Sequence, residues 1–303
     1  MDGFLSFGPE FDALVPAGAR LQRIDAAAQW SEGPVWLQAA GCLVWSDVAA
    51  NRMLRWSPER GVEVFRSPSN FANGNYLDLQ GRIVTCEHGR RCISRTEADG
   101  SVHVLVDKFD GDHRLNSPND LVVKSDGTIW FTDPPYGILS NKEGYAAQSQ
   151  INGCWVYRFD PASGELTVAA YDVQRPNGLA FSPDERTLYV ADMSVVEFPT
   201  QGLRHLRAYD VVDGRRLAGG RMLAEVAPGI PDGFRVDARG RIFCSSEEGI
   251  QVFSPEGRKL GVILVPERVS NCAFGGPAWD TLYITATTSV YWLRLETVGA
   301  VQR

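Results

Sequence analysis

The chain has 303 residues, 44% of them hydrophobic and 22% charged, with a formal net charge of −7. That is the make-up of a globular protein with an ample core, and it excludes nucleic acid, which needs a basic stripe, and an anionic membrane surface as partners. No segment approaches the roughly 18–20 apolar residues of a membrane helix. Met1-Asp2-Gly3-Phe4 lacks the pattern of a secretory leader, so the expected setting is cytoplasmic.

In chain order, residues 1–18 read as an N-terminal extension of a single domain spanning 1–303, and a strand-like segment, Leu21–Asp25, follows. Six repeats come next. Each opens on an oxygen-bearing side chain just before a run of β-type residues: Glu32-Gly33-Pro34, Asn73-Gly74-Asn75, Asn119-Asp120-Leu121, Asn177-Gly178-Leu179, Asp232-Gly233-Phe234 and Asn271-Cys272-Ala273. The leading residues lie 41, 46, 58, 55 and 39 positions apart. A β-type period of about 40–55 residues is the mark of a propeller, one blade per repeat. Turn formers such as Ser125-Asp126-Gly127 and Ser182-Pro183-Asp184 close each first hairpin. Second strands rich in aromatic and β-branched residues follow, among them Ile83–Glu87, Ile129–Asp133 and Leu188–Asp192. Third strands include Arg52–Trp56 and Trp155–Phe159, and outer strands such as Gly61–Phe65 and Val102–Val106 complete five repeats. The sixth has no outer strand, because the chain ends soon after Leu293. The expected fold is therefore all-β, a six-bladed propeller with four-stranded blades, its last blade completed by Leu21–Asp25. Closure of that kind protects strand edges that an open array would leave unpaired.

One segment breaks the rhythm. Residues 134–153 form a connection far longer than the hairpin turns elsewhere, and long connections in compact domains cover or line sites. It is expected to lie over the end of the ring that carries the leading residues, where Tyr136, Asn141 and Gln148 suit a hydroxylated ring. The six cysteines show no CxxC pair and read as free thiols acting as small core hydrophobes.

The leading residues bring two carboxylates, Glu32 and Asp232, and four asparagine amides to one register. Hard oxygen donors suit Ca²⁺, which takes 6–8 oxygens, whereas four histidines without a His-x-x-x-His spacing argue against a zinc centre. There is no Gly-x-Ser-x-Gly elbow, phosphate loop or dinucleotide fingerprint, so the common serine hydrolases, P-loop enzymes and dinucleotide folds are excluded. Metal-assisted hydrolysis remains open.

At these residues the chain resembles the gluconolactonase and regucalcin (senescence marker protein) family of six-bladed propellers. The resemblance runs from Trp30 to Leu293 and rests on Ser31-Glu32-Gly33-Pro34, Arg114-Leu115-Asn116-Ser117-Pro118-Asn119-Asp120, Phe131-Thr132-Asp133-Pro134-Pro135-Tyr136-Gly137, Arg175-Pro176-Asn177-Gly178, Pro231-Asp232-Gly233 and Asn271-Cys272-Ala273-Phe274-Gly275-Gly276. It looks most like the bacterial gluconolactonase branch. The resemblance implies a single divalent cation, calcium first with Zn²⁺, Mn²⁺ or Mg²⁺ as alternatives, held by Glu32, Asn177 and Asp232, with Asn119 beside it and Asp232 in the base role. It also implies hydrolysis of a sugar lactone, D-glucono-1,5-lactone first. The regucalcin branch carries a substrate-contacting Arg where this chain has Ser117, so Arg114 and Asn116 are the substitutes considered for that sugar contact.

Asp133 is the reserve base, since a cation lowers the basicity of a bound carboxylate. Glu87, His88 and Tyr136 complete the expected substrate contacts. Two other readings stand beside this one. The same site serves another aldonolactone or an organophosphate ester, or the propeller is a protein-binding platform without chemistry. A platform has no need of carboxylates converging on its axis.

Overall fold

The computed structural model describes residues 3–300, so the first two residues of the expected N-terminal extension lie outside the described residues. Six antiparallel sheets are arranged as the blades of a propeller, with the innermost strands Ser31–Leu37, Ala72–Leu77, Leu121–Val123, Pro176–Phe181, Phe234–Val236 and Val269–Gly275. The second strands of the second and third blades run over Ile83–Glu87 and Ile129–Asp133, as expected; that of the fourth begins one residue earlier, at Thr187. Helix is confined, among the described residues, to single turns. No helix is long and apolar enough to cross a membrane.

The last blade is closed from the other end of the chain. Gln22–Asp25 pairs antiparallel with Ser289–Arg294, in the register Gln22 to Trp292 and Ile24 to Val290. The N-terminal extension does more than precede the blades. Phe4–Ser6 adds a fifth strand to the outer edge of the fifth blade, pairing with Lys259–Leu264, and Phe11 and Leu14 are buried in the core between the fifth and sixth blades. The sequence-based outline has no place for that strand, because three residues without an alternating pattern carry no strand signal of their own.

Between blades the core is built from inward faces of neighbouring sheets. Trp45 and Trp130 are fully buried, and burying a side chain of that size contributes roughly 1.5–3 kcal/mol. All six cysteines are free and five of them are buried, as small core residues.

What positions the site is the approach of the six inner strands to one another. A hydrogen bond joins every pair of adjacent blades at the level of the leading residues, in two cases from a hydroxyl of the second strand. Gly74 N–H donates to Asn119 O (2.8 Å), Gly178 N–H to Asp232 O (3.1 Å) and Gly233 N–H to Ser270 O (2.7 Å). Side-chain hydroxyls make the other three junctions: Ser46 to Asn73 O (2.7 Å), Thr132 to Asn177 O (2.7 Å) and Ser270 to Ser31 O (2.5 Å). The glycine after the leading residue is a steric requirement. A Cβ on Gly33 would run into the Asn73 carbonyl, one on Gly178 into the Asp232 carbonyl and one on Gly233 into the Asn271 side chain.

Gly33 also has a φ of +51°, whereas a methyl group on Gly81, at φ +75°, would meet nothing within 4 Å. Gly33→Ala should therefore destabilise the fold by about 3 kcal/mol, combining left-handed backbone strain with overpacking. Gly81→Ala should cost only about 1 kcal/mol. Denaturant melts of the two variants check this, and equal losses would show that the axial approach carries no steric constraint.

Candidate active site at the axial channel

The leading side chains turn inward because the strands are irregular where they sit. Pairing register shifts between Glu32 and Val35, between Ala72 and Asn75, between Pro176 and Leu179, and between Val269 and Asn271. Such bulges re-aim side chains. Asn119 and Asp232 immediately precede the strands of their own blades. Glu32, Asn119, Asn177 and Asp232 are between 4% and 9% exposed, buried but open at one end of the channel.

Glu32 Oε2 accepts the Gly33 N–H (2.8 Å) and the Asn271 Nδ2 (3.2 Å). Burial first, then the charges of Asp232 and Asp120, holds the Glu32 carboxyl well above the usual carboxylate range. Asp232 is pushed up to about 7, by burial first; Asp120 and Glu143 add to the rise, while the Arg268 charge and a hydrogen bond from Asn177 oppose it. Asn177 Nδ2 also donates to Met193 Sδ (2.8 Å), which leaves its amide oxygen without a donor among the described residues. The Asn119 side chain likewise has no hydrogen-bond partner there, although its main-chain N–H and carbonyl are both bonded. Neither Glu32 nor Asp232 forms an ion pair among the described residues.

Deeper on the axis lie three groups without an assigned role in the sequence reading. Asn271 Nδ2 is 3.5 Å from Asp120 Oδ2, which also takes a hydrogen bond from Arg235 Nη1 at 3.4 Å. Arg235 in turn stacks over Tyr76, its guanidinium carbon 5.6 Å from the ring centroid. The signals were present: Asp120 stands where four other repeats have glycine, and Arg235 interrupts an apolar inner strand.

The other named candidates are committed elsewhere. Both Asp133 oxygens accept main-chain N–H groups, Oδ2 from Asn116 and Oδ1 from Ser117, each at 2.8 Å, and burial holds its carboxyl at about 7. Asn116 donates to the Asp133 and Gly153 carbonyls and accepts from Ser149 Oγ. Glu87 is fully buried and takes bonds from Ser94 Oγ (2.7 Å) and Arg66 Nη2 (3.2 Å). Arg114 donates to the Arg90 carbonyl at the surface. These groups brace loops beside the channel rather than facing into it.

His88 and Tyr136 are closer to the channel mouth. His88 Nε2 is 3.1 Å from Asn73 Nδ2, and Nδ1 is 3.0 Å from the Glu143 carbonyl. A carbonyl only accepts, so Nδ1 carries the proton and Nε2 accepts from Asn73. The Tyr136 hydroxyl is buried with no hydrogen-bond partner among the described residues, and Asp232 is the strongest charge acting on it.

The long connection folds back over this end. Its one-turn helix, Tyr136–Leu139, is tied down by Gly137 N–H to Ser117 Oγ (2.9 Å), and Tyr145 meets Phe71 edge-on at 5.3 Å. Asn141 and Gln148 are exposed, and the Asn141 amide oxygen is spent on the Ala146 N–H. A cavity of about 270 Å³ opens beside Asp232. A larger one, about 430 Å³, lies at the opposite end of the channel among Val35, Tyr76, Val236 and Phe274. The smaller cavity is the one lined by a leading residue, Asp232.

No group of three or more His, Cys, Asp or Glu side chains in metal-binding arrangement occurs among the described residues. The candidate donors are instead two carboxylates and two amides. They nevertheless fit a hard divalent cation: Glu32 and Asp232 are buried, neither forms an ion pair among the described residues, and their raised proton affinity, which the Arg268 charge only partly offsets at Asp232, is the penalty that a cation would relieve.

A closed ring of six blades defines the class, a six-bladed β-propeller. Residues 30–288 match the SMP-30/Gluconolactonase/LRE-like region, and the chain belongs to that family. It is 34% identical to the gluconolactonase of Zymomonas mobilis, over 97% of this chain and 86% of that protein. The pentonolactonase XacC of Haloferax volcanii is 28% identical over 86% of this chain and 83% of its own. A solved gluconolactonase from Xanthomonas campestris superposes with a TM-score of 0.90 at 41% identity, covering 97% of this chain and 95% of that one.

The His88 packing has a consequence for stability. Burial holds His88 at about 4 in the folded chain, against about 6.5 when unfolded. Between those values the unfolded chain binds a proton that the folded chain refuses. Stability should fall as pH drops from about 6.5 towards about 4, and His88→Gln should remove up to ~1.4 kcal/mol per pH unit of that slope. Denaturant melts of both proteins at about pH 7 and about pH 5 provide the check; parallel pH profiles would mean that His88 accepts its proton in the folded state.

Proposed function

We propose that this propeller hydrolyses aldono-1,5-lactones, D-glucono-1,5-lactone first, using a divalent cation, calcium first, held by Glu32, Asn177 and Asp232 with Asn119 beside them. The chain is a lactone-hydrolysing enzyme by its family and by the lactonases that it resembles along most of its length. The observation that carries the finer reading is the pairing of buried Glu32 and Asp232, neither in an ion pair among the described residues, with two under-used amides at the channel mouth. The six free cysteines suit a reducing, cytoplasmic setting.

When bound, a divalent cation there supplies Lewis-acid polarisation of the lactone carbonyl and charge to offset its developing oxyanion. The chain's own groups do the rest. Asp232 takes a proton from the attacking water as the water oxygen bonds to the carbonyl carbon. The ring C–O bond then breaks, the proton passes from Asp232 to the leaving ring oxygen, which departs as a hydroxyl, and the new carboxylic acid gives its remaining water-derived proton to solvent to leave the carboxylate. Asn119 and the Tyr136 hydroxyl, each lacking a protein partner, hold sugar hydroxyls. Asp133 has a different part from that of reserve base. With both oxygens on main-chain N–H groups it fixes the Asn116–Asn119 turn that delivers Asn119. His88 holds Asn73 and takes no proton near neutrality.

Hydrolysis of a panel of hexono- and pentonolactones by EDTA-treated protein, before and after return of Ca²⁺, Zn²⁺, Mn²⁺ or Mg²⁺, tests the reading. Activity should vanish on chelation and return with at least one ion. Full turnover after chelation would remove the metal from the mechanism, and no turnover of any lactone would sink the substrate class.

Asp232→Ala should lower kcat by at least roughly 10²-fold, the scale of general-base catalysis. Asn73→Ala should keep most of the activity, because its amide nitrogen is bonded to His88 and the family resemblance gives it no part in holding the cation. Equal losses in the two variants, at matched folded protein and saturating metal, would mean that the ring acts as a whole.

A further inference from the structure

Arg268 lies in the connection between the outer strand of the fifth blade and the inner strand of the sixth, at the same end as the leading residues. Its side chain forms no hydrogen bond and no ion pair among the described residues. It rests instead on an aromatic face, with its guanidinium carbon 5.5 Å from the centroid of Trp30. Other arginines at this end are spent: Arg52 on Asp47, Arg66 on Glu87, Arg175 on Glu197. A cation–π contact holds a guanidinium in place without neutralising it, so all of its donors stay available.

The place it is held is specific. Arg268 lines the cavity of about 270 Å³ together with Asp232, Ser246, Ile230 and Val269. Glu247 shares that lining, but no ion pair joins it to Arg268. Of the charges acting on Asp232, that of Arg268 is the largest.

Lactone hydrolysis changes the charge of what occupies this space. The substrate is a neutral ester and the product a carboxylate. With Asp232 activating the water, the incoming oxygen arrives on the Asp232 side and becomes one of the two carboxylate oxygens. Negative charge therefore develops next to a carboxylate that would repel it. A guanidinium with unspent donors in the same cavity is the group suited to take it, because its planar fork matches a carboxylate two bonds at a time.

We propose that Arg268, stacked on Trp30, forms a carboxylate subsite beside Asp232 that receives the aldonate as the lactone ring opens. The assignment of that carboxylate as the reaction product rests on the lactonase reading above. The subsite itself is a claim about anion binding and is measurable without turnover.

The test is calorimetric titration of the full chain with D-gluconate and with its uncharged analogue D-glucitol, for wild type, Arg268→Met and Arg268→Lys. Arg268 is exposed, so neither substitution opens the core. Arg268→Met should weaken gluconate binding by about tenfold, the scale of a charged hydrogen bond, and leave glucitol binding as in wild type. Arg268→Lys should recover part of the loss, since it restores charge but not the fork. Gluconate binding unchanged in Arg268→Met overturns the subsite, as does an equal loss for gluconate and glucitol, which would mark a shape effect. A third arm measures kcat/KM for a lactone phosphorylated at its terminal hydroxyl. A loss confined to that substrate, with gluconate binding intact, also overturns the proposal and transfers Arg268 to a substrate substituent. Absence of lactonase activity in the wild type, with Arg268-dependent gluconate binding retained, would instead refute the lactonase reading and leave the subsite standing.

Discussion

Six inner strands reach the axis so closely that a methyl group on the leading glycine of four of them would strike the neighbouring blade, and everything else in the site depends on that approach. Glycine after the leading residue makes it sterically open, and a hydrogen bond at each of the six junctions fixes it. Buried main-chain groups must be paired, and here the pairing partner is the next blade. The backbone requirement of the inner strands thus doubles as the ring closure, and it sets the leading side chains at one level.

Convergence has an electrostatic consequence. Groups that would be ordinary solvated carboxylates on separate hairpins become buried neighbours, so Glu32 and Asp232 are both driven towards the neutral form. Asp120, the third acid on the axis, has an internal answer in Arg235. Glu32 has none among the described residues, and Asp232 has only the nearby charge of Arg268, short of an ion pair. The axial network therefore separates into a deep part that is balanced by protein charge and a mouth that is left with an excess of negative charge. That asymmetry is what a cation at the mouth would resolve, and it gives the channel a working end.

Around the mouth, the surrounding loops are held by groups with the chemical look of catalysts. Asp133 cradles two main-chain N–H groups, Glu87 joins Arg66 and Ser94, and His88 bridges Asn73 to the long connection. A buried carboxylate is expensive unless hydrogen-bonded, and each of these is fully engaged. Among the groups at this end whose hydrogen-bonding capacity is not used within the described residues are Asn119, the oxygen of Asn177, the Tyr136 hydroxyl and Arg268. Groups left without a protein partner and gathered at one end of the axis are where a ligand finds hydrogen bonds to make.

The repeat was legible in the sequence because each blade reuses one local pattern: an oxygen residue, followed in four of the six by a glycine, then a β run and a turn. Period and strand alternation are local properties, and they were enough for six blades, for most strand positions and for closure by the segment before the first repeat. The leading residues were legible for the same reason, since equal register in the repeat means equal height on the axis. The fifth strand at Phe4–Ser6 was not, because its stability comes from the edge it pairs with rather than from its own residues. Nor could the sequence separate a free Asn119 from an engaged Asn116, or a bracing Asp133 from an axial Asp232. Those distinctions depend on which partners the fold brings within hydrogen-bond distance across tens of residues. Residue type and spacing determined what chemistry was available; the tertiary structure decided which groups were left free to use it, because only three-dimensional packing says which hydrogen bonds are already made.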